Sequence, residues 1–181
     1  MVPKYVFFTK GKGEGKDPLS SFEFALRNAG IAPYNLVNVS SILPPNCKVI
    51  PKERGIKMLK PGQIVHLVIS RMASDENKRL IAAAIGWARP RKKDIYGYIS
   101  EHHCTGMTEK DAGYYAEDLA VTMLASTLGK EIDIEKAWDK KRGVFKVDNL
   151  VISTGNISQS AVCKNGRWTT VIAAAVFVSE E

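Results

Sequence analysis

The chain of 181 residues contains 45% hydrophobic and 25% charged residues, which excludes a disordered chain and suits a single domain over residues 1–181, since domains commonly run ~100–200 residues. No apolar run approaches the ~20 residues of a membrane span, and YVFF at 5–8 is too short for a secretory signal, so we expect a cytoplasmic protein with no membrane partner. The formal net charge of +7 comes from scattered lysines and arginines. Their densest groups, at 89–93 and 140–142, lack interleaved aromatic residues, which favours a solvated basic surface over a nucleic-acid partner.

The first predicted strand, YVFFT at 5–9, is followed by the glycine-rich segment KGKGEGK at 10–16. A phosphate-binding P-loop requires a different glycine spacing and a serine or threonine after its Gly-Lys pair, whereas Asp17 follows here. We therefore expect a flexible loop that leads into a helix.

Helix signals bound the segment DPLSSFEFALRNAG at 17–30. Asp17 can cap the helix, Pro18 fits its first position and Gly30 can end it. Helical spacing predicts one buried stripe made of Leu19, Phe22, Leu26 and Ala29. Glu23 lies on or beside this stripe, where a carboxylate is expected to have a partner.

The next segment, NLVNVSSILPP at 35–45, begins as an alternating strand over 35–40 and ends in two serines, an apolar pair and two prolines. Hydroxyl groups at such a position commonly satisfy backbone groups in a turn. On spacing alone, Ser40 and Ser41 are turn residues.

Most of the remaining chain is predicted to form strands, at 63–70, 79–88, 95–100, 149–154, 157–163 and 168–178. A second helix is predicted over 108–129, with a cap formed by Thr108 and Asp111. Its expected inner face contains Ala112, Tyr115, Leu119 and Met123. Two helices and about eight strands make an α+β protein, and alanine-rich strands indicate close packing of helices on a sheet.

Cysteine and histidine usage gives no metal or redox motif. The three cysteines, Cys47, Cys104 and Cys163, are widely spaced and are expected to be free thiols. EHHC at 101–104 contains four ligand types, but neighbouring strand residues point to opposite faces, so no metal site is expected.

Ser41 also has a reactive interpretation. A serine can attack the carbonyl carbon of the preceding peptide if a donor stabilises the developing oxyanion. The chain then passes through an ester, and elimination followed by hydrolysis leaves a pyruvoyl group with loss of ammonia. This built-in ketone supplies electron-withdrawing chemistry toward an amine substrate, as pyridoxal phosphate does in other enzymes.

Three segments resemble the archaeal-type pyruvoyl-dependent arginine decarboxylases: GKDPLSSFEFALRNAGI at 15–31, NLVNVSSILPP at 35–45 and IYGYISEHHC at 95–104. The resemblance implies a four-layer αββα sandwich assembled as trimers or paired trimers, with active sites between subunits. It also implies cleavage between Ser40 and Ser41, giving a small chain 1–40 and a large chain 41–181 that carries the pyruvoyl group in place of Ser41. Neither pyridoxal phosphate nor a metal ion is then expected.

The same resemblance assigns roles to three further residues. Glu101 matches the family's catalytic glutamate, the general acid that protonates the substrate α-carbon after carbon dioxide leaves. Asn35 matches an asparagine whose amide contacts the oxyanion or the substrate carbonyl. Glu23 lies where the family usually has an aspartate that binds the guanidinium group, and a glutamate keeps that chemistry.

The resemblance therefore implies a decarboxylase that converts L-arginine to agmatine and carbon dioxide for polyamine synthesis. Because Glu23 is longer than the family's aspartate, another cationic amino acid such as lysine or ornithine remains an alternative substrate. The competing interpretations of the chain are a non-catalytic paralogue and a basic nucleic-acid-binding domain.

Overall fold

The structure is a computed structural model that describes residues 2–92, 94–139, 144–147 and 150–179. Within these ranges it contains four helices, α1 (Pro18–Ala29), α2 (Lys52–Lys57), α3 (Glu109–Thr127) and α4 (Ile134–Ala137). The strands in the same ranges are β1 (Tyr5–Gly15), β2 (Asn35–Asn38), β3 (Ile42–Leu43), β4 (Lys48–Val49), β5 (Ile64–Ser74), β6 (Leu80–Pro90), β7 (Gly97–Thr105), β8 (Trp138–Asp139), β9 (Val144–Val147), β10 (Leu150–Val162) and β11 (Trp168–Val178).

These strands form two sheets in the described part of the chain. The first has the order β2-β5-β11-β1-β4 and the second the order β3-β7-β6-β10-β9-β8. The sheets pack face to face, while α1 covers the outer face of the first sheet and α3 the outer face of the second. The predicted α+β fold, a four-layer αββα sandwich, is confirmed.

Strand β11 is covered on both faces, by α1 on one side and by the second sheet on the other. Its even-numbered apolar residues, Ile172, Ala174 and Val176, pack with α1, and the alternate residues Ala173 and Ala175 pack against the second sheet. Successive strand residues point to opposite faces, so a strand covered on both sides must be apolar at every position. The continuous run VIAAAVFV meets this requirement.

The glycine-rich segment belongs to β1, so the prediction of a flexible loop at 10–16 is wrong. Gly11, Gly13 and Gly15 lie on the face of β1 that contacts α1. A side-chain carbon added at Gly11 would lie 2.3 Å from the backbone oxygen of Ala25, and one added at Gly13 would lie 2.3 Å from that of Ser21. The alternating glycines therefore let α1 approach the strand backbone closely.

The ends of α1 agree with the prediction. The side chain of Asp17 accepts a hydrogen bond from the Ser20 amide at 2.8 Å, and Gly30 ends the helix in the left-handed conformation. The predicted stripe is wrong at Leu19, which is 77% exposed. Ser21 and Ala25 are buried instead, because small residues fit against the glycine row of β1.

Helix α3 begins after the predicted cap, since the Thr108 hydroxyl accepts a hydrogen bond from the Asp111 amide. Its predicted inner face is wrong except at Ala112. Tyr115 is exposed and Leu119 and Met123 are only partly buried, while the buried positions are Ala112, Gly113, Ala116, Ala120, Val121, Leu124 and Ala125. A side-chain carbon added at Gly86 of β6 would lie 2.2 Å from the Ala116 backbone, so α3 approaches the sheet closely around Ala116, and larger buried residues such as Leu124 lie farther along the helix.

The strand predictions are correct in type but differ in their bounds. The segments predicted at 149–154 and 157–163 form one continuous strand, β10, which begins at Leu150, and position 149 lies outside the described residues. None of the helices in the described ranges is both long and apolar enough to cross a membrane.

Candidate active site

The serine pair lies where the chain passes from the first sheet to the second. Strand β2 pairs with β5 at the edge of the first sheet, and β3 pairs with β7 at the edge of the second. The Val39 amide donates to the carbonyl of Leu67 at 2.9 Å, and the Ile99 amide donates to the carbonyl of Ser41 at 2.8 Å. The peptide between Ser40 and Ser41 is thus held at both ends by different sheets.

Glu101 approaches Ser41 from the second sheet. The Ser41 hydroxyl donates a hydrogen bond to Oε2 of Glu101 at 3.3 Å. Glu101 lies on β7 two residues after Ile99, a residue of the core between the sheets, so its side chain lies on that face. His102 lies on the opposite face, where its ring is 4.4 Å from that of Tyr115 on α3.

The environment of Glu101 shifts the pKa of its carboxyl group. Burial raises its pKa above the ordinary value of 4.5, and the hydrogen bond from Ser41 and the charge of His103 oppose this only in part. A carboxylate with a raised pKa is a stronger base than an exposed one, and its protonated form persists to higher pH.

The carbonyl group of Ser40 has a backbone donor of its own. The amide of Ile42 donates to this oxygen at 3.0 Å, which closes a three-residue turn centred on Ser41. Ser40 is exposed and Ser41 is half-buried. The peptide bond between them is therefore polarised on its oxygen and open to attack on its carbon.

Asn35 lies at the other end of β2. Its side-chain amide donates to the carbonyl of Gly62 at 2.7 Å. The strand from Asn35 to Asn38 spans roughly 10 Å at ~3.3 Å per residue. Within one chain the structure does not bring Asn35 to Ser41.

Glu23 is also separate from the serine pair within one chain. Its carboxylate accepts a hydrogen bond from Nε of Arg27 at 2.9 Å, so it has the partner that its position on α1 required. Both residues line a shallow cavity of about 390 Å³ together with Gly30, Ala32 and Pro33. The cavity lies at the C-terminal end of α1, from which the chain continues into β2. Asn35 is the first residue of β2.

Two groups that contact the predicted site residues were not predicted from the sequence: the guanidinium group of Arg27 and the backbone amide of Ile42. Arg27 lies four residues after Glu23, a spacing that commonly forms ion pairs on helices, so the pair was predictable. The amide of Ile42 had no signal, because every non-proline residue carries a backbone N–H group.

Val39 and Ile42, which flank the serine pair, line a cleft of about 640 Å³ beside β5. Ile64 and His66 of β5 also line this cleft. Three large apolar side chains near this cleft, Val37, Ile42 and Ile64, are exposed. An apolar surface of this kind is typical of a subunit contact or a ligand site.

EHHC at 101–104 forms part of β7, and its first two side chains point to opposite faces of the strand. Across the described ranges, no three histidine, cysteine, aspartate or glutamate side chains are grouped closely enough to hold a metal ion.

The family model for pyruvoyl-dependent arginine decarboxylase matches residues 5–181. The chain belongs to this family. "Pyruvoyl-dependent arginine decarboxylase 2" of Methanosarcina acetivorans is 55% identical over 182 residues, covering 100% of both chains, and the protein of the same name from Methanosarcina mazei is 54% identical with the same coverage. A "probable pyruvoyl-dependent arginine decarboxylase" from Chlorobaculum tepidum is 52% identical over 177 residues, which cover 98% of each chain.

The resemblance to this family, which was inferred from three segments of the chain, is thereby confirmed along nearly the whole chain. The family consists of enzymes, and its name specifies a pyruvoyl group as the cofactor. The chain's own residues fit such a group, because Ser41, the serine from which the resemblance implies that it is made, lies beside a carboxylate.

Proposed function

We propose that this chain is a self-processing decarboxylase that converts L-arginine to agmatine and carbon dioxide. The observation that carries the proposal is the 3.3 Å contact between the Ser41 hydroxyl and Glu101 at a peptide held between two sheets. Membership in the pyruvoyl-dependent arginine decarboxylase family and relatives with that name over the full chain support arginine as the substrate.

Self-cleavage begins at Ser41. Its Oγ atom bonds to the carbonyl carbon of Ser40, and the hydroxyl proton passes to the Glu101 carboxylate. The bond from that carbon to the Ser41 nitrogen then breaks, and the nitrogen takes up the proton, which leaves an ester. Glu101 is thus the base for the first step, a role additional to the one predicted from the sequence.

The ester then opens by elimination. The Cα hydrogen of residue 41 leaves as a proton, the Cβ–Oγ bond breaks, and Ser40 becomes the carboxyl end of the chain 1–40. The resulting dehydroalanine tautomerises to an imine, and water hydrolyses it to a ketone with release of ammonia. The chain 41–181 then begins with the pyruvoyl group. When present, this group supplies a ketone that bonds to an amine substrate and withdraws electrons from the bond to its carboxylate.

Glu101 has a second role during turnover. After carbon dioxide leaves, the substrate α-carbon must gain a proton, and we assign its delivery to the Glu101 carboxyl. Burial raises the pKa of this group, so it retains a proton at higher pH than an exposed glutamate.

Glu23 and Asn35 are proposed to complete the site from a neighbouring copy. Glu23 provides a carboxylate for the substrate guanidinium, and Asn35 an amide for its carbonyl or carboxylate oxygen. Both lie at the opposite end of β2 from Ser41, so a second chain is needed to bring the two groups together. The exposed apolar residues Val37 and Ile64 support a subunit contact here, and we propose a homotrimer or a pair of trimers.

A cytoplasmic location is proposed as well. The three cysteines are free thiols, as is usual in reducing compartments. Cys47 is buried, and desolvation raises its pKa to about 11, which keeps it in the unreactive thiol form.

The test is the intact mass of the purified protein under denaturing conditions. We expect two chains that break between Ser40 and Ser41, with the larger one lighter by one ammonia than a chain that begins with serine. Ser41→Ala should give one uncleaved chain. A single full-length mass for the wild-type protein after prolonged incubation would refute self-processing.

Substrate choice requires a separate experiment on the processed enzyme. Arginine, lysine and ornithine are offered in competition, and the released amines are quantified. We expect agmatine to dominate, and Glu23→Gln to weaken the preference for arginine. A cleaved chain inert toward all three would favour a non-catalytic paralogue, and an unchanged preference in the variant would remove Glu23 from the pocket.

A further inference from the structure

The turn centred on Ser41 supplies a group for self-cleavage that no side chain provides. Ile42 lies at the start of β3, an edge strand that pairs only with β7 in the described sheet. The Ser41 carbonyl points toward β7, since it accepts the Ile99 amide. Backbone groups of successive strand residues point to opposite sides, so the Ile42 N–H group points to the free edge.

At this edge the N–H group of Ile42 meets the carbonyl oxygen of Ser40 at 3.0 Å. This oxygen belongs to the carbon that the Ser41 hydroxyl attacks. As the new C–O bond forms, the carbonyl oxygen gains negative charge, and a donor already in place stabilises that charge without reorganisation.

We propose that the backbone N–H group of Ile42 is the oxyanion donor of the self-cleavage reaction. The inference rests on the self-processing proposed above and adds a specific group to it. The turn therefore has two functions: it presents the carbonyl carbon of Ser40 to the Ser41 hydroxyl, and it stabilises the charge that develops on the carbonyl oxygen.

The arrangement separates the two electrostatic tasks of the step. Glu101 receives the proton of the Ser41 hydroxyl on one side of the peptide. The Ile42 amide stabilises the oxygen on the other. Removal of either group should slow the formation of the ester.

The test replaces Ile42 by its α-hydroxy acid analogue in the full-length chain. This substitution keeps the side chain and changes only the backbone N–H group to an oxygen. The freshly made protein is followed by intact mass during incubation. Loss of one oxyanion donor typically costs ~10²–10³-fold in rate, and we expect cleavage between Ser40 and Ser41 to slow by about that factor.

A matched control uses the same chemical replacement at Leu43, where it removes the neighbouring N–H group of β3. We expect cleavage near the wild-type rate in this control, and thermal melts check that both variants are folded. Slowing of the control by as much as the Ile42 replacement would attribute the effect to strand pairing and overturn the proposal.

Hydroxylamine identifies the step that is slowed, because it cleaves an ester but leaves the ordinary peptide intact. The replacement itself introduces an ester between Ser41 and residue 42, so the fragments are distinguished by their masses. In the Ile42 variant we expect hydroxylamine to cut at this introduced ester and not between Ser40 and Ser41, since the ester of the first step forms too slowly to accumulate. Accumulation of hydroxylamine-sensitive material that breaks between Ser40 and Ser41, or self-cleavage at the wild-type rate, would exclude the Ile42 amide as the donor. If the wild-type chain itself never cleaves, the proposed function fails first, and the two failures are thus distinguishable.

Discussion

The ion pair on α1 leads to a prediction about substrate affinity. Arg27 places a guanidinium group on Glu23, the carboxylate proposed to bind the guanidinium of the substrate. The substrate must displace Arg27 before it can bind there. We therefore expect Arg27→Ala to lower KM for arginine and to leave kcat unchanged, because the competing contact acts on binding rather than on the chemical step.

The exposure of the pair sets the size of the effect. The side chain of Arg27 is 64% exposed and that of Glu23 is 42% exposed. Ion pairs at such surfaces stabilise by ~0–1 kcal/mol, and 1.4 kcal/mol corresponds to about a tenfold change in affinity. Release of Glu23 from Arg27 should therefore lower KM by a factor of about two to five.

The assay measures agmatine formation against arginine concentration for the processed enzyme. Arg79→Ala is the matched control, because it removes the same charge and a comparable ion pair with Glu76, in which the side chains are 46% and 61% exposed. The gain in Arg27→Ala should shrink at ~1 M salt, where charges are screened beyond about 3 Å. An unchanged or higher KM in Arg27→Ala, or an equal decrease in Arg79→Ala, would refute the competition.

Two further predictions concern stability. Gly13→Ala places a side-chain carbon 2.3 Å from the Ser21 backbone oxygen. Overpacking of this kind lowers the free energy of unfolding by ~1–3 kcal/mol. The control is Lys12→Ala at an exposed neighbouring position, and a thermal melt of Gly13→Ala indistinguishable from that of the control would contradict the packing argument. Burial raises the pKa of Glu101, so the folded state binds the carboxyl proton more tightly than the unfolded state does. The charged carboxylate therefore destabilises the fold at pH values above its folded-state pKa. This destabilisation disappears as the pH falls below the ordinary glutamate pKa of 4.5. In an uncleavable Ser41→Ala background, Glu101→Gln should thus raise Tm at about pH 8 more than at about pH 4, and the reverse pH dependence in calorimetry would contradict the assigned shift.

Local signals were sufficient for the bounds of α1. Asp17, Pro18 and Gly30 act on the backbone within one helical turn of themselves, and such interactions depend little on the rest of the fold. The long apolar strands were predictable for a related reason, since β11 must be apolar at every position when both of its faces are covered.

The role of the glycines in β1 was not predictable from spacing. Gly11 and Gly13 indicate a loop when the segment is considered alone, because glycine lowers strand stability. Their function depends on α1, which lies over them only in the folded chain. The same kind of error affected α3, where Tyr115 was expected to face inward although the close approach to the sheet around Gly86 and Ala116 leaves no room there for a large side chain.

The candidate site, too, was predictable from the sequence only in part. Ser41 and Glu101 are 60 positions apart, and no periodicity links them, so they were assigned to one site only through the family resemblance. A turn at Ser40 and Ser41 was predicted from local chemistry, but the donation of the Ile42 amide to the Ser40 carbonyl and the passage between two sheets were not. Glu23 and Asn35 were predicted by resemblance as well, and their roles stay predictions, because one chain does not bring either of them to Ser41.

The position of β1 has a consequence for how the mature molecule can be denatured and renatured. Residues 1–40 contribute β1, α1 and β2, and β1 pairs with β11 along eleven residues in the interior of the first sheet, with β4 on its other side. After the proposed cleavage, each protomer is a non-covalent pair of chains, so its unfolded state consists of two molecules rather than one. Thermal midpoints should then depend on protein concentration, and recovery from denaturant should require a bimolecular encounter. The uncut precursor can fold as a single chain, whereas the active form can only reassemble.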